Sequence, residues 1–594
     1  MGVKVADYIF ARLAEAGLRQ AFLVTGGGAM FLNDALAREA RLSWTCHHHE
    51  QAAAMAAEGY ARVTGHPAIL SVTSGPGGIN ALNGVFGAWT DSIPMIVVSG
   101  QVKRETLKTT YPELRLRQLG DQEADIVSMV SGITKSAVQL RDPADVRYVV
   151  EQAHWLATHG RPGPVWIDVP VDVQSSEVDP GGLHGFEPPV VADGGREDLQ
   201  QQVVEVAARL QTAERPVVIA GSGVHHSNSV EDFVRVAERL GAPVTTAWAH
   251  DVIASDHPLW CGRQGTIGDR AGNFTVQAAD LVLILGSRMA IRQLSYNYAA
   301  FAPDAFKIHV DIDPAELAKP TLQTDLPVEA DLKDFLELLE AELDRRRHEP
   351  QRHAEWLAWC RQRVDRYPVV QAHQRTKEPP LNPYHFMESL FERLGSEDVV
   401  VTGDGAACIM SFQAGRLTGS QRLFSNSGSA SMGYDLPAAL GAAVAQAEAG
   451  SDSSTGKPRR TICLGGDGSL QMNIQELQTL ATHAWPLTIF VIDNGGYLSI
   501  RTTQTNVFGR LIGESTASGI GFPDWVSLAG AYGIEADRID DPATMGRQLD
   551  AALAASGPYL VHVVVDPEQG FEPRVRSRQL PDGTITSPAL DDLY

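Results

Sequence analysis

Cysteine is scarce in this sequence: five in 594 residues, Cys46, Cys261, Cys360, Cys408 and Cys463. None forms a C-x-x-C pair, which argues against a disulfide framework and for reduced thiols in a cytoplasmic protein. Long apolar runs are missing too, so a membrane partner is not expected. Positive charge is in the minority, with 49 Lys and Arg against 72 Asp and Glu, a formal net charge of −23. Such a surface argues against nucleic acid as a partner, but it leaves room for a phosphate held locally by backbone N–H groups. The opening stretch, MGVKVADYIFARLAEAGLRQ, has charges throughout an amphipathic pattern and does not resemble a secretory signal.

What is present is an ordinary globular composition, 44% hydrophobic and 20% charged, in a chain long enough for roughly three domains. Residues 1–180 alternate β-rich runs such as AFLVTGG, IPMIVVSGQ and GPVWIDVP with Ala-rich helical stretches. A Pro/Gly/acid-rich linker follows. Residues 195–345 repeat the alternation with RPVVIAGSG and DLVLILGSR. An Arg-rich connector, 346–382, reads as a solvated helix crossing between domains. Residues 383–570 alternate once more, the segment EAGSDSSTGKPRR reads as a polar surface loop, and 571–594 reads as a tail or lid. The expected fold is α/β, with three open parallel-sheet domains in series.

The chemistry concentrates in GGDGSLQMNIQELQTLATHAWPLTIFVIDNGGY. A strand ends at Gly466-Asp467-Gly468-Ser469 and a helix follows, so the backbone can turn tightly and aim N–H groups at an anion. A second strand ends at Asp493-Asn494-Gly495-Gly496. In a parallel sheet both ends lie on one edge, so Asp467 and Asn494 can meet there as hard oxygen ligands for Mg²⁺ beside a phosphate. The pattern resembles the diphosphate-binding signature of thiamine diphosphate enzymes: Gly-Asp-Gly, then 24 residues, Ser469 to Ile492, then Asp493-Asn494 where the family has Asn-Asn. The resemblance implies that Asp467, Asn494 and the Gly496 carbonyl hold Mg²⁺, with Gly466, Gly468, Ser469 and Tyr497 around the cofactor.

Cys46-His47-His48-His49-Glu50 looks at first like a metal site. Consecutive side chains point in different directions, however, and the spacing is not that of zinc ligands. The stretch HHHEQAAAMAAEGYARVTGHPAILSVTSGPGG is instead similar to the acetolactate synthase family's segment around its catalytic glutamate. That likeness puts Glu50 on the aminopyrimidine ring of the cofactor, His49 in the site lining and Gln122 facing the substrate; His47 and Cys46 have no expected role beyond packing. It extends over nearly the whole chain. Met432, in SNSGSASMGYDLPAALGAA, falls where the family supports the bent cofactor, and Asp404, Gly405, Ala406 and Ala407 fall on the other diphosphate loop. The pyrimidine-binding and diphosphate-binding domains of such enzymes meet between subunits, which implies a homodimer or homotetramer.

The middle section resembles the family's Rossmann-like FAD domain through Gly221, Ser222, Gly223, Arg288, Arg292, Asp311 and Asp331. GSRMAIRQ lacks the acidic pair the family has between its arginines, so FAD and a ligand-free domain both stay open. Two departures bear on substrate. Thr503 stands where acetolactate synthases have a tryptophan selecting the larger acceptor, and KRETLKTTYPELRLRQLGD is longer than the matching loop. The expected activity is decarboxylation of a 2-keto acid, pyruvate being the expected donor, and ligation of the two-carbon unit to an acceptor such as a keto-sugar or another bulky carbonyl. The alternatives are a simple decarboxylase releasing aldehyde and a non-catalytic nucleotide-binding protein that kept the fold.

Overall fold

The computed structural model describes residues 2–189, 194–451, 456, 459–579, 582 and 585–593. Parts of the interdomain linker, of the polar loop after residue 450 and of the last stretch lie outside the described residues.

Three six-stranded sheets dominate, and every strand pairing within them is parallel. The first contains β1 (Gln20–Leu23), β2 (Ser43–Cys46), β3 (Ala68–Val72), β4 (Met95–Gln101), β5 (Ser136–Gln139) and β6 (Pro164–Pro170). The second contains β7 (Pro216–Ala220), β8 (Val244–Thr246), β9 (Trp260–Arg263), β10 (Leu281–Leu285), β11 (Phe306–Asp311) and β12 (Leu326–Glu329). The third contains β13 (Val399–Thr402), β14 (Arg422–Phe424), β15 (Thr461–Gly466), β16 (Leu487–Asp493), β17 (Glu535–Ile539) and β18 (Tyr559–Val564). Central strands such as PVVIA and LVLIL are buried along their whole length, because helices cover both faces of a parallel sheet.

The strand orders position the sites. The N-terminal sheet runs β2-β1-β3-β4-β6-β5 and the C-terminal sheet runs β14-β13-β15-β16-β18-β17, the same order twice. The central sheet runs β9-β8-β7-β10-β11-β12, the doubly wound dinucleotide-binding order. In each, the chain reverses direction across the sheet between its first strand and a neighbour, opening a crevice at the carboxyl ends where ligands bind.

The N- and C-terminal domains are joined by two Ala-rich helices, Glu50–Thr64 and Asp435–Ala449. Their backbones come very close. A Cβ at Gly59 would overlap the Ala438 carbonyl, and one at Gly441 would overlap the Ala56 carbonyl.

One segment differs from its sequence reading. The connector helix Ala354–Arg366 is not simply solvated: Trp356 and Cys360 are buried on one face, and the Trp356 indole N–H donates to the Pro216 carbonyl at 2.9 Å. Their four-residue spacing puts both on one helical stripe despite the surrounding arginines. The last stretch lies along the central domain. The Val575 N–H donates to the Thr266 carbonyl at 2.9 Å, and Leu590 is buried in the same hydrophobic cluster as Val217 and Ile284.

Gly441→Ala is expected to force the two helices apart and to destabilise the fold by about 1–3 kcal/mol. A lowered midpoint in thermal unfolding would be the readout; an unchanged midpoint would mean that the helix pair is not tightly packed in solution.

Candidate functional site

A cleft of about 110 Å³ opens at the crevice between β13 and β15. It is lined by Asp404, Gly405, Ala406, Met432, Gly466, Asp467, Gly468, Ser469, Asn494, Gly496 and Tyr497, continuing into Leu498, Ser499 and Ile500. Residues from four separate stretches of sequence thus converge on one cleft. Ala407 is fully buried at the start of the following helix and does not line the cleft. Gly405 has φ +86° and Gly466 has open space where a side chain would begin, so the backbone is bare toward the cavity.

Asp467 is 2% exposed and starts the helix Asp467–Gln471. Its carboxylate accepts from the Gly496 N–H at 2.8 Å and from its neighbour's N–H, that of Gly468, at 2.7 Å. Burial, and next to it the charge of Asp493, pushes this carboxyl above its ordinary range. Asp493 is held the other way. Burial would raise it, but His562, 2.8 Å away, keeps it low. The Asn494 side-chain oxygen is buried with no hydrogen-bond partner. A buried carboxylate and an orphaned amide oxygen lining one cleft are what a bound divalent cation would satisfy. Among the described residues no group of three or more His, Cys, Asp and Glu could hold a metal, so Mg²⁺ here would need phosphate oxygens to complete its shell.

Glu50 is 9% exposed and opens its helix. The His49 ring caps that helix, its Nδ1 accepting from the Gln51 N–H at 3.0 Å. Glu50 itself accepts from Asn80 at 3.0 Å, and Gly77 leaves space beside its other oxygen. Gln122 lies at the same sheet edge with φ +61°, its carbonyl occupying the space a side chain on Gly75 would need. Glu50 does not line the diphosphate cleft of its own chain. The long loop before Gln122 is organised by Glu123, a residue the sequence reading passed over. Its buried carboxylate accepts from the N–H groups of Lys108, Leu119 and Gly120 at 2.6, 2.8 and 3.2 Å. Thr503 sits exposed on the helix Leu498–Phe508, whose first residues line the cleft.

In the central domain Ser222, Gly223, Gly286, Arg288, Asp311 and Asp331 line a cavity of about 70 Å³ at the β7/β10 crevice. Gly221 serves the turn, since a side chain there would overlap the Gly286 carbonyl. Arg292 lines a separate cavity together with Gln264. Gln264 was not foreseen; it is 2% exposed and both of its amide atoms lack partners. Arg288 bonds Asp91 of the N-terminal domain at 3.1 Å.

Comparison with known proteins agrees with this architecture. Residues 3–129 match the model described as thiamine pyrophosphate enzyme, N-terminal TPP binding domain; residues 203–339 match the central domain; residues 403–563 match the C-terminal TPP binding domain. The chain belongs to the thiamine pyrophosphate enzymes. Among its relatives is the probable acetolactate synthase large subunit of Methanocaldococcus jannaschii, 32% identical over 96% of this chain and 93% of that one. The acetolactate synthase isozyme 2 large subunit of Escherichia coli K12 is 31% identical over 99% of both chains. Acetolactate synthase 1, chloroplastic, of Zea mays is 30% identical over 97% of this chain and 87% of its own. No helix among the described residues is long and apolar enough to cross a membrane.

A Cβ on Gly468 would overlap the Tyr497 ring. Gly468→Ala should therefore push that ring into the cleft and weaken binding of thiamine diphosphate with Mg²⁺ roughly tenfold or more. Calorimetric titration would measure it; wild-type affinity would place the cofactor elsewhere.

Proposed function

We propose that the protein is a Mg²⁺- and thiamine diphosphate-dependent enzyme that decarboxylates pyruvate and joins the two-carbon unit to an acceptor carbonyl. The observation that carries this reading is the single cleft in which Asp467, the unpartnered Asn494 oxygen and Gly496 meet, lined also by Met432 and Tyr497. The bound cofactor supplies the electron sink that makes loss of carbon dioxide from a 2-keto acid feasible. The chain's residues do the rest. Asp467, Asn494 and the Gly496 carbonyl would hold Mg²⁺, and the bare glycine backbone would hold the diphosphate. Met432 would support the cofactor between its two ends. Glu50, fixed by Asn80, would hydrogen-bond a ring nitrogen of the aminopyrimidine and favour its imino tautomer, whose exocyclic nitrogen would be the base for the thiazolium proton. Gln122, at the edge beside Glu50, would face the substrate.

Because Glu50 does not line the cleft of its own chain, a complete site would take Glu50 from one copy and the cleft from another. That supports a homodimer, or a homotetramer built from two. The loop organised by Glu123 and the small Thr503 in place of tryptophan support an acceptor bulkier than a 2-keto acid, such as a keto-sugar. The substrates are small molecules in either case.

FAD is the further ligand we propose. It would lie with its nucleotide end in the Arg288–Asp311–Asp331 cavity and its ring toward Arg292 and the unpartnered Gln264 amide. Protein purified without added flavin is expected to release FAD on heat denaturation, identified by chromatography. Release of no flavin would leave the central domain ligand-free.

Glu50→Gln is expected to abolish turnover while leaving cofactor binding in place. An NMR time course with pyruvate, thiamine diphosphate and Mg²⁺ tests both points, with added keto-sugars as acceptors. Acetolactate or a sugar adduct supports carboligation. Acetaldehyde alone would favour a simple decarboxylase, and no consumption of pyruvate would change the donor.

A further inference from the structure

His47 was expected only to pack, yet it makes the most deeply buried polar link between the Glu50 segment and the C-terminal domain. Its side chain and that of Glu476 are both 0% exposed. The His47 Nδ1–H donates to one oxygen of Glu476 at 2.8 Å, and the His48 backbone N–H donates to the other at 3.1 Å. The Thr479 hydroxyl also donates to this carboxylate, at 2.7 Å. Two consecutive residues of the strand end that delivers Glu50 are therefore gripped by one carboxylate. Burial would raise the Glu476 carboxyl, but the hydrogen bonds from His47, Thr479 and the His48 N–H hold it below its ordinary value.

The place of Glu476 matters as much as its bonds. It begins the helix Glu476–His483, a few residues beyond the helix of Asp467. Three residues earlier, the Asn473 amide donates to the Gly433 carbonyl at 2.7 Å, next to Met432. One short connector thus holds the Met432 segment with one side chain and the Glu50 segment with another. A buried polar pair is a poor way to buy adhesion, since apolar residues of similar volume stabilise an interface as well or better. What it does supply is a fixed geometry, because both partners must be met at hydrogen-bond distance.

We propose that His47 and Glu476 form a positioning clamp by which the C-terminal domain of a chain sets the placement of that chain's Glu50 against the cofactor ring. The proposal rests on the reading of Glu50 as the cofactor-activating carboxylate. In a dimer, each clamp would then join the half-site a chain lends to one active site with the half-site it lends to the other.

The test uses full-length His47→Ala, Glu476→Ala, the double variant and the conservative His47→Asn, whose amide nitrogen replaces Nδ1. Hydrogen exchange of residues 46–53 in the cofactor-free protein reports the clamp. Deuterium exchange at the thiazolium C2 of bound cofactor, followed by quenched NMR, reports Glu50. Both alanine variants are expected to speed amide exchange in that segment and to slow C2 exchange roughly 10- to 100-fold, with cofactor affinity unchanged. The double variant should be no worse than either single one, as for two halves of one interaction. His47→Asn should recover most of the rate, and it keeps the test open if an alanine variant fails to fold. Wild-type C2 exchange in folded alanine variants, beside an inert Glu50→Gln, would overturn the clamp alone. Wild-type C2 exchange in Glu50→Gln would overturn the reading of Glu50 and the clamp with it.

Discussion

The backbone-to-backbone approach of the helices Glu50–Thr64 and Asp435–Ala449 is the contact on which the rest of the molecule depends. It is available only because alanine and glycine face each other across it, with Gly59 against Ala438 and Gly441 against Ala56. Glu50 is the first residue of one helix, and the turn that carries Met432 leads directly into the other. Packing the pair therefore locks a carboxylate of the N-terminal domain and the floor of the C-terminal cleft into one rigid unit. The central domain docks on the same unit. Arg62 bonds both Glu58 and Asp91 at 2.7 Å, and Asp91 receives Arg288 and the Gly428 N–H. Burial pushes Glu58 up to about 7 in spite of Arg62, so this junction is held by geometry as much as by charge.

The repeated strand order of the outer domains gives the chain two crevices of the same shape with different contents. In the C-terminal domain the crevice is glycine, aspartate and amide, open toward an anion and a cation. In the N-terminal domain the corresponding edge presents Glu50, Asn80 and Gln122 around glycines, a setting for a polar ring rather than a diphosphate. A protein of net charge −23 can hold a diphosphate because the field that matters is local, set by backbone N–H groups at a helix start.

Much of the C-terminal site was legible in the sequence because it is local. Asp467 and Asn494 sit at the ends of adjacent parallel strands, and strand–helix–strand geometry leaves their meeting little freedom. Met432, Asp404 and Gly405 join them through the same sheet edge. What was illegible depends on contacts between distant segments. Arg292 reads like a partner of Arg288 but faces a different cavity. Gln264 carries no local signal at all; only its burial without a partner marks it. The connector's Trp356 and Cys360 were hidden by the arginines around them.

The histidine run makes the division plain. The residue pattern alone argued against a metal site, since neighbouring side chains diverge, and likeness to a known family singled out Glu50 among its neighbours. By itself the sequence thus determined three parallel-sheet domains and a cofactor-binding class, because periodicity, glycine turns and motif spacing are written in consecutive residues. Only the tertiary structure decided that His49 is a helix cap, that His47 reaches Glu476 some 429 residues away, and that Glu50 stands apart from its own chain's cleft. Those outcomes follow from how the domains pack, and packing is set by side-chain volumes and buried polar partners summed across the whole chain.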